Sequence, residues 1–132
     1  MISRNIEGRE RFFEFGMRTF VFIHKLTGVN DMPEVFERLA NKKRSEVEGE
    51  FLDEAIMGQI EHMEFVAKFL FAAAKTASEL NEEPIDYNEG SIYAWIDTMG
   101  WSDCLSLIQE LSEIYILKNL KAPRQGPKKE IA

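Results

Sequence analysis

The chain reads as a mainly α protein of about five helices in one compact bundle, preceded by a short N-terminal β-hairpin. Three observations carry that reading: a change of period around Phe15-Gly16, apolar residues at helical spacing through most of the chain beyond that point, and capping or breaking residues between those runs.

Phe13 and Phe15 alternate with Glu14, which is strand spacing, whereas Phe20, Val21, Ile23 and Leu26 fall at helical spacing until Gly28 stops the run. A hairpin turning about Gly8 therefore feeds an amphipathic helix that ends in Leu26-Thr27-Gly28. Next, Asp31 is a good N-cap and Pro33 sits in the first turn, where its missing N–H does no harm. Met32, Val35, Phe36, Leu39 and Ala40 then make the buried face of a short helix, and Asn41 to Ser45 is a polar, basic break. A third helix, the longest, is expected to begin between Glu46 and Asp53 and to run to about Leu80, where Asn81-Glu82-Glu83-Pro84 ends it. On a helical wheel Leu52, Ile56, Ile60, Met63, Val66, Ala67, Leu70, Ala73, Ala74 and Ala77 share one broad face. Phe65, Phe69 and Ala72 form a second, narrower stripe, so this helix is either central to the bundle or supplies a surface to something else.

Asn88, or Asp86 upstream of it, caps a fourth helix carrying Ile92, Trp95, Ile96 and Met99 and closed by Gly100. Ser102 is expected to cap the fifth, whose core face is Leu107, Ile108, Leu111, Ile114 and Tyr115. From Lys121, Pro123, Gly126 and Pro127 punctuate a basic segment with little to bury. The expected organisation is one helical domain over residues 1–120 and a mobile basic tail over 121–132.

Composition narrows the function. A length of 132 residues suits one domain with one core. The net charge of −7 disfavours nucleic acid as the main partner, because binding a polyanion draws on lysine and arginine clusters. Cys104 is the single cysteine, which excludes an intramolecular disulfide or a cysteine zinc cluster and suits a reducing cytoplasm. The first ten residues carry charges and lack the apolar core of a signal peptide. The longest strongly apolar run, Phe65 to Ala74, contains Lys68 and is about half the length of a membrane span, so no membrane partner is expected.

Catalysis and metal binding find no positive support. Glu61, His62 and Glu64 invite comparison with di-iron carboxylate bundles, which need Glu-x-x-His on each of two helices; here Gln59 precedes His62 by three, and Val21 so precedes His24. His62 is read as a helix-surface residue and His24 as a packed structural histidine with one ring nitrogen bonded. Cys104 sits near a helix N-terminus, where the dipole could activate a thiol, but neither histidine is related to it in sequence, and a small core hydrophobe is the plainer reading. Glu46-Glu48-Glu50 and Glu82-Glu83 lack the spaced ligands and central glycine of a calcium loop. Nucleophile-elbow, phosphate-loop and dinucleotide motifs are absent. No catalytic, cofactor-binding or metal residue is therefore assigned.

What stands out is ten Phe, three Tyr, two Trp and six Met. Most of these must be core. Met57 and Phe71 fall on the Glu61, Glu64, Lys68, Lys75 side of the long helix, and Phe65 with Phe69 makes the extra stripe. Flexible methionine and flat rings suit adaptable binding surfaces, so Met57, Phe65, Phe69 and Phe71 are the candidate partner-binding residues.

The same elements resemble, over roughly residues 5–120, the tail assembly chaperones of long-tailed bacteriophages. The similar parts are the Gly8-Arg9-Glu10 hairpin, the Phe15-Gly16 junction, the helix ending Thr27-Gly28, the Asp31-capped short helix, the long helix through Ala72-Ala73-Ala74-Lys75, and Asn88 to Asp97, where Ile92, Trp95, Ile96 and Asp97 match a capped tryptophan-containing helix of the family. Phe20-Val21-Phe22 and Phe69-Leu70-Phe71 make this core heavier in phenylalanine than the family pattern. The resemblance implies a non-catalytic protein of the bacterial host cytoplasm, active in viral morphogenesis. Such a protein coats the tape-measure protein and keeps it soluble until the tail tube polymerises. It also implies the tail-tube protein and a second copy of the chain as further candidate partners. Family members are often made in two lengths through a ribosomal slip, and Gly126-Pro127-Lys128 is compatible with a slippery C-CCA-AAA run. From another class, a small acidic helical adaptor that binds one cellular protein through the same surface fits the residues too. A third reading, a small metal or thiol enzyme, would show as bound metal or fast alkylation of Cys104.

Overall fold

The computed structural model describes residues 1–40 and 52–118, with side chains over 1–40 and 60–118. The elements are β1 (Ile2–Ile6), β2 (Arg9–Phe13), α1 (Met17–Thr27), α2 (Met32–Ala40), α3 (Leu52–Leu80), α4 (Glu89–Met99) and α5 (Trp101–Ile116). This is the expected mainly α fold, with five helices among the described residues and an N-terminal antiparallel hairpin. The 121–132 tail lies outside the described residues, as does the break over 41–45.

β1 and β2 pair with Ile2 opposite Phe13 and Ile6 opposite Arg9. Glu7 and Gly8, at φ 56° and 80°, make the two-residue turn; two successive left-handed residues suit the twist of a tight hairpin, and glycine takes the second without steric cost. One face of the hairpin packs inward, with Ile6 and Phe13 fully buried and Phe13 edge-on to Trp95 of α4 at 6.1 Å. Beyond the strand, the Glu14 N–H donates to the carbonyl of Ala73 on α3 at 3.1 Å. Backbone meeting backbone this closely requires small side chains on the helix, and Ala72, Ala73, Ala74 and Ala77 provide them, all 0–2% exposed.

The junction residue Phe15 organises the core. Its ring lies 5.0 Å from Phe20 of α1, 6.0 Å from Phe36 of α2, 5.0 Å from Phe69 of α3 and 4.9 Å from Tyr115 of α5. Offset and edge-on pairs at these distances are favourable beyond the area they bury. One side chain at the end of the hairpin thus ties four helices together. Beside it, Thr19 and Thr76 are buried with their hydroxyls 2.8 Å apart, Thr19 also reaches the Glu14 carbonyl and Thr76 the Ala72 carbonyl, and the Gly16 N–H donates to Thr19 Oγ1. Two hydroxyl protons are shared among three oxygen–oxygen contacts there, so whichever hydroxyl donates across the pair gives up its own carbonyl bond, and that shared bond joins α1 to α3.

The helix ends obey their local chemistry. Gly28 closes α1, donating to the His24 carbonyl. Asp31 Oδ1 accepts from the Glu34 N–H, and Asn88 Oδ1 from the Ser91 N–H. The start of α5 differs from expectation: Trp101 is its first residue, and Gly100 rather than Ser102 occupies the cap, with no side-chain bond. Gly100 adopts φ 94°, ψ 147°, a conformation open essentially to glycine. The chain therefore leaves α4 and enters α5 with no spacer.

Candidate functional site

The long helix α3 is central, but its two apolar faces are covered differently from the expectation. Phe65 and Phe69 are buried at 5% and 0% exposure, so the extra stripe belongs to the core of the chain rather than to an accessible surface. α2 covers Phe65, whose ring lies 5.5 Å beneath the Arg38 guanidinium, and Phe15 covers Phe69. Phe71 is half-buried, edge-on to Tyr87 at 5.9 Å. Met57 is within α3, and its side chain lies outside the described residues.

Conversely, two residues of the broad face that should have been core are open: Ile60 at 49% and Met63 at 44% exposure. The reason lies in where the cover ends. Tyr87, just before α4, sits against Phe71 and Ser78, bonding the latter at 2.7 Å. Further along α4, burial, with the Glu64 and Glu89 carboxylates, raises the Tyr93 pKa. One turn before Glu64, Ile60 is half exposed. Tyr93 is itself 41% exposed and Trp101, at the start of α5, 37%.

Trp101 is held by His62, ring to ring at 5.6 Å and 87°. His62 Nε2 lies 2.8 Å from the Leu39 carbonyl, and since a carbonyl only accepts, that nitrogen carries the proton. His62 thus ties the end of α2 to α3 and steadies the indole. His24 Nδ1 bonds the Val29 carbonyl at 2.9 Å in the same way, although the residue as a whole is exposed. Ile60 and Met63, one turn apart on α3, Tyr93 on α4 and Trp101 at the start of α5 are exposed apolar side chains, and Ile96 and Met99 of α4 are half-buried. Sequence reasoning missed Tyr93 and Trp101, because they belong to no apolar stripe of their own.

The other candidates for chemistry have structural explanations. Cys104 is buried, and burial, with the nearby Asp103 carboxylate, pushes its thiol up to about 11, the opposite of an activated nucleophile. Among the described residues, no group of three or more His, Cys, Asp or Glu is placed to hold a metal ion. A polar cavity of ≈ 20 Å³ lies between β2 and the segment before α4, lined in part by Arg9, Arg11, Ser78, Tyr87 and Trp95. Arg11 stacks 4.7 Å from the Trp95 ring, and Arg9 and Arg11 both bond Asp86, holding its carboxyl below the usual range. Arg11 Nε is buried there with no bonding partner among the described residues. The cavity has room for about one water, which such an N–H needs, and is far smaller than a metabolite site. No described helix is long and apolar enough to cross a membrane.

Comparison with known proteins found no matching family model, no matching curated protein and no matching solved structure.

Proposed function

We propose that this protein is a non-catalytic tail assembly chaperone that holds a long helical client, the tape-measure protein of a tailed phage, in soluble form. The observation that carries the reading is that Ile60 and Met63, one turn apart on α3, are exposed large apolar side chains on an acidic chain, as are Tyr93 and Trp101. Exposed apolar surface is a common mark of a protein-docking site, and we take the face of α3 that carries Ile60 and Met63 as that site. Methionine and large aromatics are the side chains such sites favour. An extended client with apolar stripes on its helices would lay them on this face, as helix-in-groove complexes do. Many copies along one client would act by multivalency, and their negative charge would keep the assembly in solution. The order of elements supports the resemblance on which the reading draws: hairpin, Phe15-Gly16 junction, glycine-closed helix, Asp31-capped short helix, long alanine-rich helix, Trp95 helix, final helix.

Co-expression tests it. A gene for this chain should lie just upstream of a very long gene for a helical protein, and the product of that gene should partition to the soluble fraction with the wild-type chain present. It should return to the pellet when Ile60→Gln and Met63→Gln are introduced together. No such neighbouring gene, or equal solubility with and without the chain, would contradict the proposal.

A further inference from the structure

We infer that Arg9 and Arg11 form a carboxylate-binding fork, filled in the free chain by Asp86, which exchanges that tenant for an aspartate or glutamate side chain of a partner protein. The fork lies beside Ala74 and Ser78 of α3, about four to five helical turns beyond Ile60. It is therefore a second surface, independent of the docking face proposed above.

The strand builds the fork. Arg9 and Arg11 alternate with Glu10 on β2, so both leave the hairpin on the side of buried Phe13. Rings pave that side: Phe13 meets Trp95 edge-on, and the Arg11 guanidinium lies 4.7 Å from the centre of Trp95 and 5.6 Å from that of Tyr87. Tyr87 is itself fixed, 5.1 Å from Trp95 and bonded through its hydroxyl to Ser78 at 2.7 Å. A guanidinium stacked on rings keeps its N–H groups in a set plane, so little freedom is lost when an acid docks. Arg11 also holds a donor in reserve. Its Nη1 bonds Asp86 at 3.0 Å, whereas its Nε is buried beside the ≈ 20 Å³ cavity with no bonding partner among the described residues.

The present tenant is held at the surface. Asp86 ends a stretch, 81–86, that is exposed throughout; its carboxylate is 43% exposed and the Arg9 side chain 56%. Ion pairs as open as this hold weakly. Charge also favours an incoming acid, because two arginines answer one carboxylate on a chain of net charge −7. Glu83 lines the same cavity but belongs to the same exposed stretch as Asp86, and the Glu10 carboxylate is bonded to the Ser3 hydroxyl. A carboxylate carried by a docking segment can bond both arginines as Asp86 does and reach the Nε–H that Asp86 leaves unfilled. A nucleic acid offers oxyanions too, but the net charge of the chain repels it.

Labelled-peptide anisotropy on the full chain tests the fork. One probe is an unstructured glycine-serine peptide carrying two aspartates, and the second carries asparagines in their place. The aspartate probe should bind Asp86→Asn at least about tenfold more tightly than wild type, with the gap shrinking as salt rises. Arg9→Gln, alone or with Asp86→Asn, should abolish the binding at unchanged helical circular dichroism. Glu34→Gln frees Arg38, an arginine about as exposed as Arg9, and should leave the affinity within about twofold of wild type. A gain for Glu34→Gln equal to that for Asp86→Asn would show general charge rather than a fork and overturn the inference. So would equal binding of the two probes, binding that survives Arg9→Gln, or no binding of the aspartate probe to wild type and Asp86→Asn alike.

Discussion

Replacing Phe15 by alanine should remove more stability than any other single truncation of a ring in this core. The side chain is 5% exposed and meets four rings, on Phe20, Phe36, Phe69 and Tyr115, at 4.9–6.0 Å. Truncating a buried phenylalanine costs about 3–5 kcal/mol, and losing several aromatic pairs places Phe15→Ala at the top of that range. Phe15→Leu keeps the burial and loses only the ring geometry, for about 1–2 kcal/mol. With roughly 3–5 °C lost per kcal/mol for a chain of this size, the alanine variant should melt about 15–20 °C lower and the leucine variant about 5 °C lower. Urea unfolding followed by helical circular dichroism and by tryptophan emission measures both. A loss below about 1 kcal/mol for Phe15→Ala would refute the claim that this residue joins the hairpin to four helices.

Asp86→Asn should flatten the acid side of the stability profile. The Arg9 and Arg11 bonds depress the native pKa of Asp86, so their stabilisation is present above its ordinary value of 3.8 and is lost as pH falls through the lower native value. Circular dichroism across the acid range, wild type against variant, reads the difference. Gly100→Ala should cost about 1–3 kcal/mol by thermal melting although no atom lies within 4 Å of the added Cβ, because the backbone there is closed to other residues. Cys104 should resist iodoacetamide in the native protein and react at the ordinary thiol rate in urea. Its raised thiol pKa also means that stability falls as pH rises from about 9 towards 11, where the unfolded thiol ionises first.

Features set by adjacent residues were legible from sequence, and features set by distant neighbours were not. The Glu7-Gly8 turn, the Asp31 and Asn88 caps and the Gly28 stop each depend on a few consecutive residues, and each stands where the pattern put it. Ser102 had the right chemistry for a cap, yet Gly100 left it no room to act. On α3 the wheel correctly found two apolar faces. Both faces are covered from Phe65 onwards, and a wheel carries no information on where the neighbouring elements stop. Val66, Ala67, Leu70, Ala73, Ala74 and Ala77 of the broad face are buried as expected, Phe65 and Phe69 of the narrow stripe are buried too, and only Ile60 and Met63 among the described side chains of those faces are exposed. The alanines at 72–74 read as helix formers; their role in admitting the backbone of Glu14 shows only in three dimensions.

Whether the open end of α3, with Tyr93 and Trp101, is the client-docking face can be read by hydrogen–deuterium exchange on the chain with and without its helical client. Added protection should concentrate in peptides covering residues 60–64 and 93–103, with α1 unchanged. Protection centred instead on exposed Met17 and Val21 of α1, or none at saturating client, would contradict that assignment.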